Sequence, residues 1–132
     1  MKVSFMKKIL QIIESAYRGT IEEQDDTVIW ISHFLKDAGS SIDLLLKGNA
    51  ISYLLTKQDS SGLVFGFKVQ TQPAKIYEDL RKIMEKGVLI FYVYEDALER
   101  GFEIEEMIFG PQGISRADFP ILFEKYDHIL HW

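Results

Sequence analysis

The residues with the clearest potential for chemistry follow an apolar run in the second half of the chain. Residues 88–93 are all apolar or aromatic, and Tyr94, Glu95 and Asp96 come directly after them. A run without alternation is typical of a strand that is buried on both faces of a parallel sheet, and we predict that it is the central strand. Ligands in open α/β sheets bind beyond the carboxyl ends of such strands. These three residues, with Val93 before them, are therefore the first candidate site.

A second candidate is an anion-binding site at the start of a helix. Gly19 and Thr20 open a predicted helix just after the first predicted strand, and the free amides of a helix start attract negative charge. Arg18 would add a cation to the same edge of the sheet. Together with Asn49 and Tyr94, these groups would hold a small anionic or nucleotide-like ligand. The alternative is that the helix start is purely structural.

Most other catalytic signatures are missing. The sequence contains no cysteine, which excludes thiolate chemistry, and it has no glycine-rich phosphate loop. The three histidines lack metal-ligand spacing, and His128 and His131 would point to opposite faces of a strand. Tyr94 could act as an acid or electrophile only if a neighbour lowered its ordinary pKa of about 10. We expect no metal and no cofactor, and we favour a role other than catalysis.

Apolar runs, together with residues that start or end helices, predict strands that alternate with helices. Strands are predicted at residues 7–13, 42–46, 88–93 and 128–132. Helices are predicted from a capping box at residues 20–23 to residue 38, from 73 to 87 and around 119–126, with short turns at 50–55, 97–100 and 103–107. Either Glu95 or Asp96 would cap the turn at 97–100. Residues 63–69 fit either a bulged strand or a packed loop. The pattern predicts a single three-layer α/β/α domain with a mostly parallel sheet of about five strands.

The first long helix carries more apolar surface than one sheet requires. At helical spacing Val28, Ile31 and Leu35 form the core face, whereas Ile29 falls on an otherwise charged face and Trp30 widens the apolar arc. Two interpretations follow. The helix makes a broad core contact, or Ile29 or Trp30 lies in a subunit interface.

Composition limits the class of protein. The chain has 132 residues, a net charge of −5 and no basic cluster longer than two lysines, which argues against a nucleic-acid partner. No apolar run approaches the length of a membrane span, and the amino-terminal run is too short and too interrupted for a signal peptide. We therefore expect a cytoplasmic protein that binds neither nucleic acid nor membranes.

Residues 93–101 resemble the segment that follows the central strand in the DsrE/DsrF-like (TusD-like) sulfur-relay proteins. In that family the strand ends in a cysteine, and a short helix with an Ala-Leu-x-x-Arg-Gly-like ending follows. The order of elements is also similar over nearly the whole chain. It includes the loop at residues 17–20, the strand ending at residues 47–50, the helix ending at Gly87 and a last strand finishing at Trp132.

The resemblance implies a DsrE/DsrF-like domain over residues 1–132, a homotrimer or hexamer, and sulfur-relay proteins as possible partners. The family carries sulfur as a persulfide on its cysteine, but the matching position here is Val93 or Tyr94, and neither can hold one. The resemblance therefore implies a non-catalytic or regulatory component of an intracellular sulfur-transfer or sulfur-oxidation system. The implied pocket is lined by Tyr17, Arg18, Gly19, Thr20, Gly48, Asn49, Val93, Tyr94, Glu95 and Arg100.

Overall fold

The computed structural model describes residues 7–15, 27–56, 64–65, 68–69 and 76–132. The strands are β1 (Lys8–Ile13), β2 (Ser41–Leu46), β3 (Val64–Phe65), β4 (Lys68–Val69), β5 (Ile90–Val93), β6 (Gln112–Ile114) and β7 (His128–His131). The α-helices are α1 (Thr27–Asp37), α2 (Ile76–Glu85), α3 (Tyr94–Glu99) and α4 (Phe119–Phe123). Three 3-10 helices span Gly48–Leu54, Ile104–Glu106 and Arg116–Asp118. The predicted capping box at residues 20–23 lies outside the described residues.

Five strands form one parallel sheet in the order β6-β5-β2-β1-β7. The fold is a single α/β domain built on this sheet, which confirms the predicted class. The prediction that residues 88–93 form the central strand was wrong, because β2 occupies the centre and β5 lies beside it. An apolar run reports burial on both faces, and that condition holds for each interior strand of a parallel sheet. β3 and β4 form a separate antiparallel pair in the segment that the sequence left open.

The core lies between the sheet and its helices. Its fully buried side chains include Leu10 and Ile13 of β1, Leu44, Leu45 and Leu46 of β2, and Leu80 and Ile83 of α2. Helix α2 ends as predicted, because Gly87 adopts a φ of 91°, a left-handed conformation that favours glycine. No helix in the described part of the chain is long and apolar enough to cross a membrane.

Helix α1 buries Ile29, which the helical wheel placed on a charged face. Ile29 is almost fully buried in the core, which fits the interpretation of a broad core contact. The reason is that α2 covers this side of α1, as shown by the contact between the His33 ring and the carbonyl oxygen of Asp79 at 3.0 Å. Trp30 and Phe34 remain exposed and stack on each other with ring centroids 5.9 Å apart.

A buried amide joins the first and last strands to α1. Gln11 of β1 donates from Nε2 to Ser32 Oγ at 2.5 Å and accepts at Oε1 from the indole N–H of Trp132 at 2.8 Å. The backbone of Trp132 also pairs with β1, because its N–H donates to Ile12 O and its carbonyl accepts from Glu14 N. β7 thus lies at the edge of the sheet, beside β1.

Candidate functional site

The carboxyl ends of β2, β5 and β6 meet at the edge where the sequence placed the candidate site. Val93 ends β5 and is fully buried, whereas Tyr94 is the first residue of α3 and is 47% exposed. The two positions that the resemblance matched to a cysteine therefore differ in burial. Val93 belongs to the core, and Tyr94 belongs to the surface.

The loop after β2 brings Gly48 and Asn49 to this edge. The N–H of Gly48 donates to Asp96 Oδ2 at 2.8 Å, and Arg100 Nη2 donates to Asn49 Oδ1 at 3.1 Å. Arg100 Nη1 also donates to the carbonyl oxygen of Asp96 at 3.2 Å. Gly48 has a φ of 57°, and a Cβ there would lie 3.2 Å from Glu14 Cγ. The structure therefore brings Gly48, Asn49 and Arg100 together at this edge of the sheet.

Asp96 is the centre of these contacts. Its side chain is only 7% exposed, and Oδ1 accepts a hydrogen bond from the guanidinium of Arg116, with which it forms an ion pair. The Arg116 side chain is 51% exposed, and its Nη1 lies 3.7 Å from Glu99 Oε1. Asp96 thus ties together three segments, those after β2, β5 and β6.

Glu95 contacts the segment that follows β6. Its Oε1 accepts from Ser115 Oγ at 2.6 Å, and its carboxylate accepts from the N–H of Arg116 at 3.1–3.2 Å. The Ser115 hydrogen bond, helped by backbone hydrogen bonds and by the charge of Arg116, holds the pKa of Glu95 below its ordinary value. The prediction that Glu95 or Asp96 caps the following helix was wrong. The residue at the cap position of α3 is Val93, whose side chain cannot accept a hydrogen bond. The carboxylates of Glu95 and Asp96 bond instead to the segments that follow β2 and β6.

Tyr94 and Leu98 leave an apolar face on α3. They lie four residues apart on one side of the helix and are 47% and 57% exposed. The polar groups around them, namely Glu95, Asp96 and Arg100, already bond to other segments. Among the described residues, α3 therefore offers apolar contact and hydrogen bonding from the Tyr94 hydroxyl at this edge.

The predicted anion site can be compared with the structure only in part. Tyr17, Arg18, Gly19 and Thr20 lie outside the described residues. The Oδ1 atom of Asn49, which belongs to the same predicted pocket, already accepts from Arg100.

Two open cavities border β6. One has a volume of about 280 Å³ and the other about 350 Å³. The first is lined by Phe91, Gln112, Gly113, Ile114, Asp118, Ile121, Leu122 and Lys125. The second is lined by Tyr92, Ile104, Glu105, Met107, Ile108, Phe109, Gly110 and Pro111. Among the described residues no group of three or more histidine or acidic side chains is arranged to hold a metal ion.

Sequence reasoning missed Ser115 and Arg116, which complete the polar contacts at this edge. They follow β6, a three-residue strand that the sequence analysis did not predict. Serine is a residue type that commonly starts helices, and this was a signal in the sequence. In the structure Ser115 is the N-cap of a 3-10 helix, and its hydroxyl accepts a hydrogen bond from the N–H of Ala117. A helix start after a strand indicates a carboxyl end at the same edge as the candidate site.

Comparison with known proteins shows the fold. No protein-family model matches the sequence, and neither does any curated protein. Among solved structures, the chain is similar to the YchN protein from E. coli, with a TM-score of 0.68 and 15% identity over 96% of this chain and 100% of that one. It is also similar to MTH1491, a protein of unknown function from Methanobacterium thermoautotrophicum, with a TM-score of 0.64 and 11% identity over 96% and 99% of the two chains. These similarities support a DsrE-like fold.

Proposed function

We propose that this chain is a non-catalytic component of an intracellular sulfur-transfer system that binds a sulfur-relay protein at the carboxyl edge of its sheet. The observation that carries the proposal is the exposed apolar face of Tyr94 and Leu98 on α3. By the resemblance, the persulfide cysteine of the DsrE/DsrF-like family would match Val93 or Tyr94. The chain itself has no cysteine, so it cannot accept the persulfide. In this proposal it binds the relay protein that carries the persulfide.

The contacts at this edge favour a protein partner over a small ligand. The side chains of Glu95, Asp96 and Arg100 hold neighbouring segments in place, so they are not free to bind a ligand without breaking those contacts. An exposed aromatic side chain beside an exposed leucine is instead typical of the centre of a protein interface. The polar contacts beneath them hold α3 rigidly, which lowers the entropic cost of binding.

The test uses purified persulfide-carrying relay proteins from the same genome. We expect one of them to bind this chain, and we expect Leu98→Glu to weaken that binding roughly tenfold or more, since a buried charge would replace an apolar contact. The matched control is Ile121→Glu, which places the same charge at an exposed apolar residue of α4 and should leave binding unchanged.

Sulfur transfer supplies the second readout. Adding this chain should change the rate at which sulfur passes from the bound relay protein to its acceptor, while mass spectrometry finds no sulfur on this chain. Absence of binding to every persulfide-carrying relay protein of that genome would overturn the proposal. Equal loss of binding in both glutamate variants would instead show that the Tyr94 edge is not the contact surface.

A further inference from the structure

The larger of the two cavities at β6 has the size of a small-molecule site. Its volume of about 350 Å³ lies within the range of roughly 300–1,000 Å³ that is typical of ligand pockets, whereas the other cavity, at about 280 Å³, is smaller. Tyr92 lines the larger cavity and Phe91 lines the other, so the two lie on opposite faces of the sheet. We call the larger one the Tyr92 cavity.

The hydroxyl of Tyr92 has no protein partner at this cavity. Tyr92 is only 7% exposed, and its side chain makes no hydrogen bond with any described residue. Every fully buried side-chain nitrogen or oxygen among the described residues does have a partner. The Tyr92 hydroxyl is therefore in contact with open space, and Tyr92 lines the cavity. Because a buried tyrosine hydroxyl normally finds a partner, a ligand in the cavity would complete its hydrogen bonding.

A glycine in β6 leaves room for the tip of the Tyr92 ring. Gly113 pairs with Tyr92 in the register of β5 and β6. A Cβ at residue 113 would lie 3.0 Å from both Cζ and Oη of Tyr92, so any other side chain would crowd the end of the ring. β6 is the outermost strand of the sheet on this side. The glycine thus allows the hydroxyl to reach the open edge of the sheet.

The backbone that forms one wall of the cavity is held in place. Ile108 donates its N–H to the carbonyl oxygen of Leu54 at 2.8 Å, and Thr56 donates its N–H to the carbonyl oxygen of Glu106 at 2.9 Å. A capping box between Glu103 and Glu106 closes the 3-10 helix in this wall. Because these contacts exist without a ligand, binding would require little ordering of the chain.

Glu105 gives the cavity a preference for positive charge. Its side chain lines the cavity and makes no hydrogen bond or ion pair with a described residue. Residues 101–115 contain three glutamates and no lysine, arginine or histidine. A carboxylate can only accept hydrogen bonds, so its partner must be a donor, and the local negative potential favours a donor that carries positive charge.

Apolar side chains form most of the remaining wall. Ile108 is 5% exposed, and Met107 packs against the same core. Ile104 and Phe109 also line the cavity but are 72% and 99% exposed. A ligand with an apolar body would cover part of this surface, which favours binding through the hydrophobic effect, and the face of an aromatic ring also attracts a cation.

We propose that the Tyr92 cavity binds a small organic amine with an apolar body. The ammonium group pairs with Glu105, the apolar body packs against the apolar wall, and a polar group of the ligand bonds to the Tyr92 hydroxyl. An anion of the same shape would be repelled by Glu105. The cavity shares no residue with the exposed apolar face of α3, and this inference does not rest on the proposed function.

Tyramine is the probe for this site, because it carries an ammonium group and a phenol on one apolar body. In a nuclear magnetic resonance titration of the full isotope-labelled chain, we expect a dissociation constant on the order of 1 mM, as for a ligand of about ten non-hydrogen atoms. The shifted amides should be concentrated in residues 104–113. The matched acid, para-hydroxyphenylacetate, should bind roughly fivefold more weakly or worse, because its carboxylate meets that of Glu105.

Two variants test the polar groups separately. Glu105→Gln should weaken tyramine binding roughly three- to fivefold and reduce the preference over the acid, whereas Glu124→Gln, an exposed acid of the segment after α4 that lines neither cavity, should leave binding unchanged. Tyr92→Phe should weaken binding roughly fivefold. It should leave Tm unchanged, because the hydroxyl has no protein partner to lose.

The same measurements can refute the assignment. An absence of amide shifts in residues 104–113 at millimolar tyramine, or equal affinity for tyramine and the acid, would overturn the proposal. Unchanged binding in Glu105→Gln would overturn the pairing of the ammonium group with that carboxylate. A lower Tm of Tyr92→Phe would show that the hydroxyl already has a partner, which would remove it from the site. Circular dichroism confirms that each variant is folded.

Discussion

The nearly buried carboxylate of Asp96 has two partners in very different surroundings. Gly48 donates a backbone N–H to it, and Arg116 forms an ion pair with it from a side chain that is 51% exposed. Removing Asp96 leaves Arg116 free to be hydrated. Removing Arg116 leaves a charge in a site that is only 5% exposed, with the amide of Gly48 as its remaining partner. Removing Arg116 should therefore lower the free energy of unfolding by more than removing the charge of Asp96.

The magnitudes follow from this asymmetry. Breaking a fully buried ion pair costs about 3–5 kcal/mol, but Arg116 is half exposed and the Gly48 amide persists, so we expect Arg116→Ala to cost about 2 kcal/mol. Asp96→Asn keeps an oxygen for the Gly48 amide and loses only the ion pair, at about 1 kcal/mol. In the Arg116→Ala background, however, Asp96→Asn removes an uncompensated charge. There it should stabilise the fold by about 1 kcal/mol.

Urea unfolding at pH 7 of the native chain, the two single variants and the double variant measures this reversal of sign. A difference of about 2 kcal/mol corresponds to a change of roughly 6–8 °C in Tm for a domain of this size. Lys82→Ala, which removes an exposed cation from α2, is the control and should change stability by less than about 0.5 kcal/mol. If Asp96→Asn destabilises both backgrounds equally, Arg116 does not compensate the buried charge and the reasoning fails.

Three further predictions concern other contacts of the site and of the opposite edge. Glu95→Gln should be less stable than the native chain at pH 7, and the difference should shrink as the pH falls below 4.5. The Ser115 hydrogen bond is the main cause of the lowered pKa of Glu95, so the stability that the carboxylate gives is present above pH 4.5 and is lost as it is protonated. Urea midpoints at a series of pH values measure the effect. Tyr126→Phe should cost about 1–2 kcal/mol near pH 7, since the hydroxyl donates to Asp43 at 2.6 Å. Burial, followed by the Asp43 hydrogen bond and charge, raises the pKa of Tyr126, so the native chain should lose stability above about pH 10 and the variant should not, as thermal melts would show. Gly48→Ala should cost about 1–2 kcal/mol in a thermal melt, because alanine is strained at a φ of 57°.

The fold class could be predicted because long apolar runs and helix stops are local signals. The runs that became β1, β2, β5 and β7 were each recognised within two residues of their observed bounds. β6 was missed because Gln112–Ile114 has three residues with a glycine in the middle, which is too short for any period to appear. The order of strands is set by long-range pairing, and no local pattern encodes it. For that reason β2, rather than β5, proved to be central.

The candidate site was predicted in part for the same reason. Glu95 and Arg100 follow a strong strand signal and Asn49 follows another, so topology alone brings them to one edge. Arg116 belongs to the segment after the unrecognised β6, and its contact with Asp96 spans 20 residues. A side-chain partner such as Arg116 can be predicted only when every strand that ends at this edge of the sheet has been identified.

The position of β1 between β2 and β7 has a consequence for synthesis of the chain. Gln11 and its partner Trp132 are 121 residues apart, and β7 leaves the ribosome after the other described strands. Until then β1 is itself an edge, and its buried amide has one of its two partners missing. Contacts over such a separation form late in folding. The nascent domain therefore exposes an apolar strand edge through most of translation, and chaperones or early pairing with another chain would act during that interval.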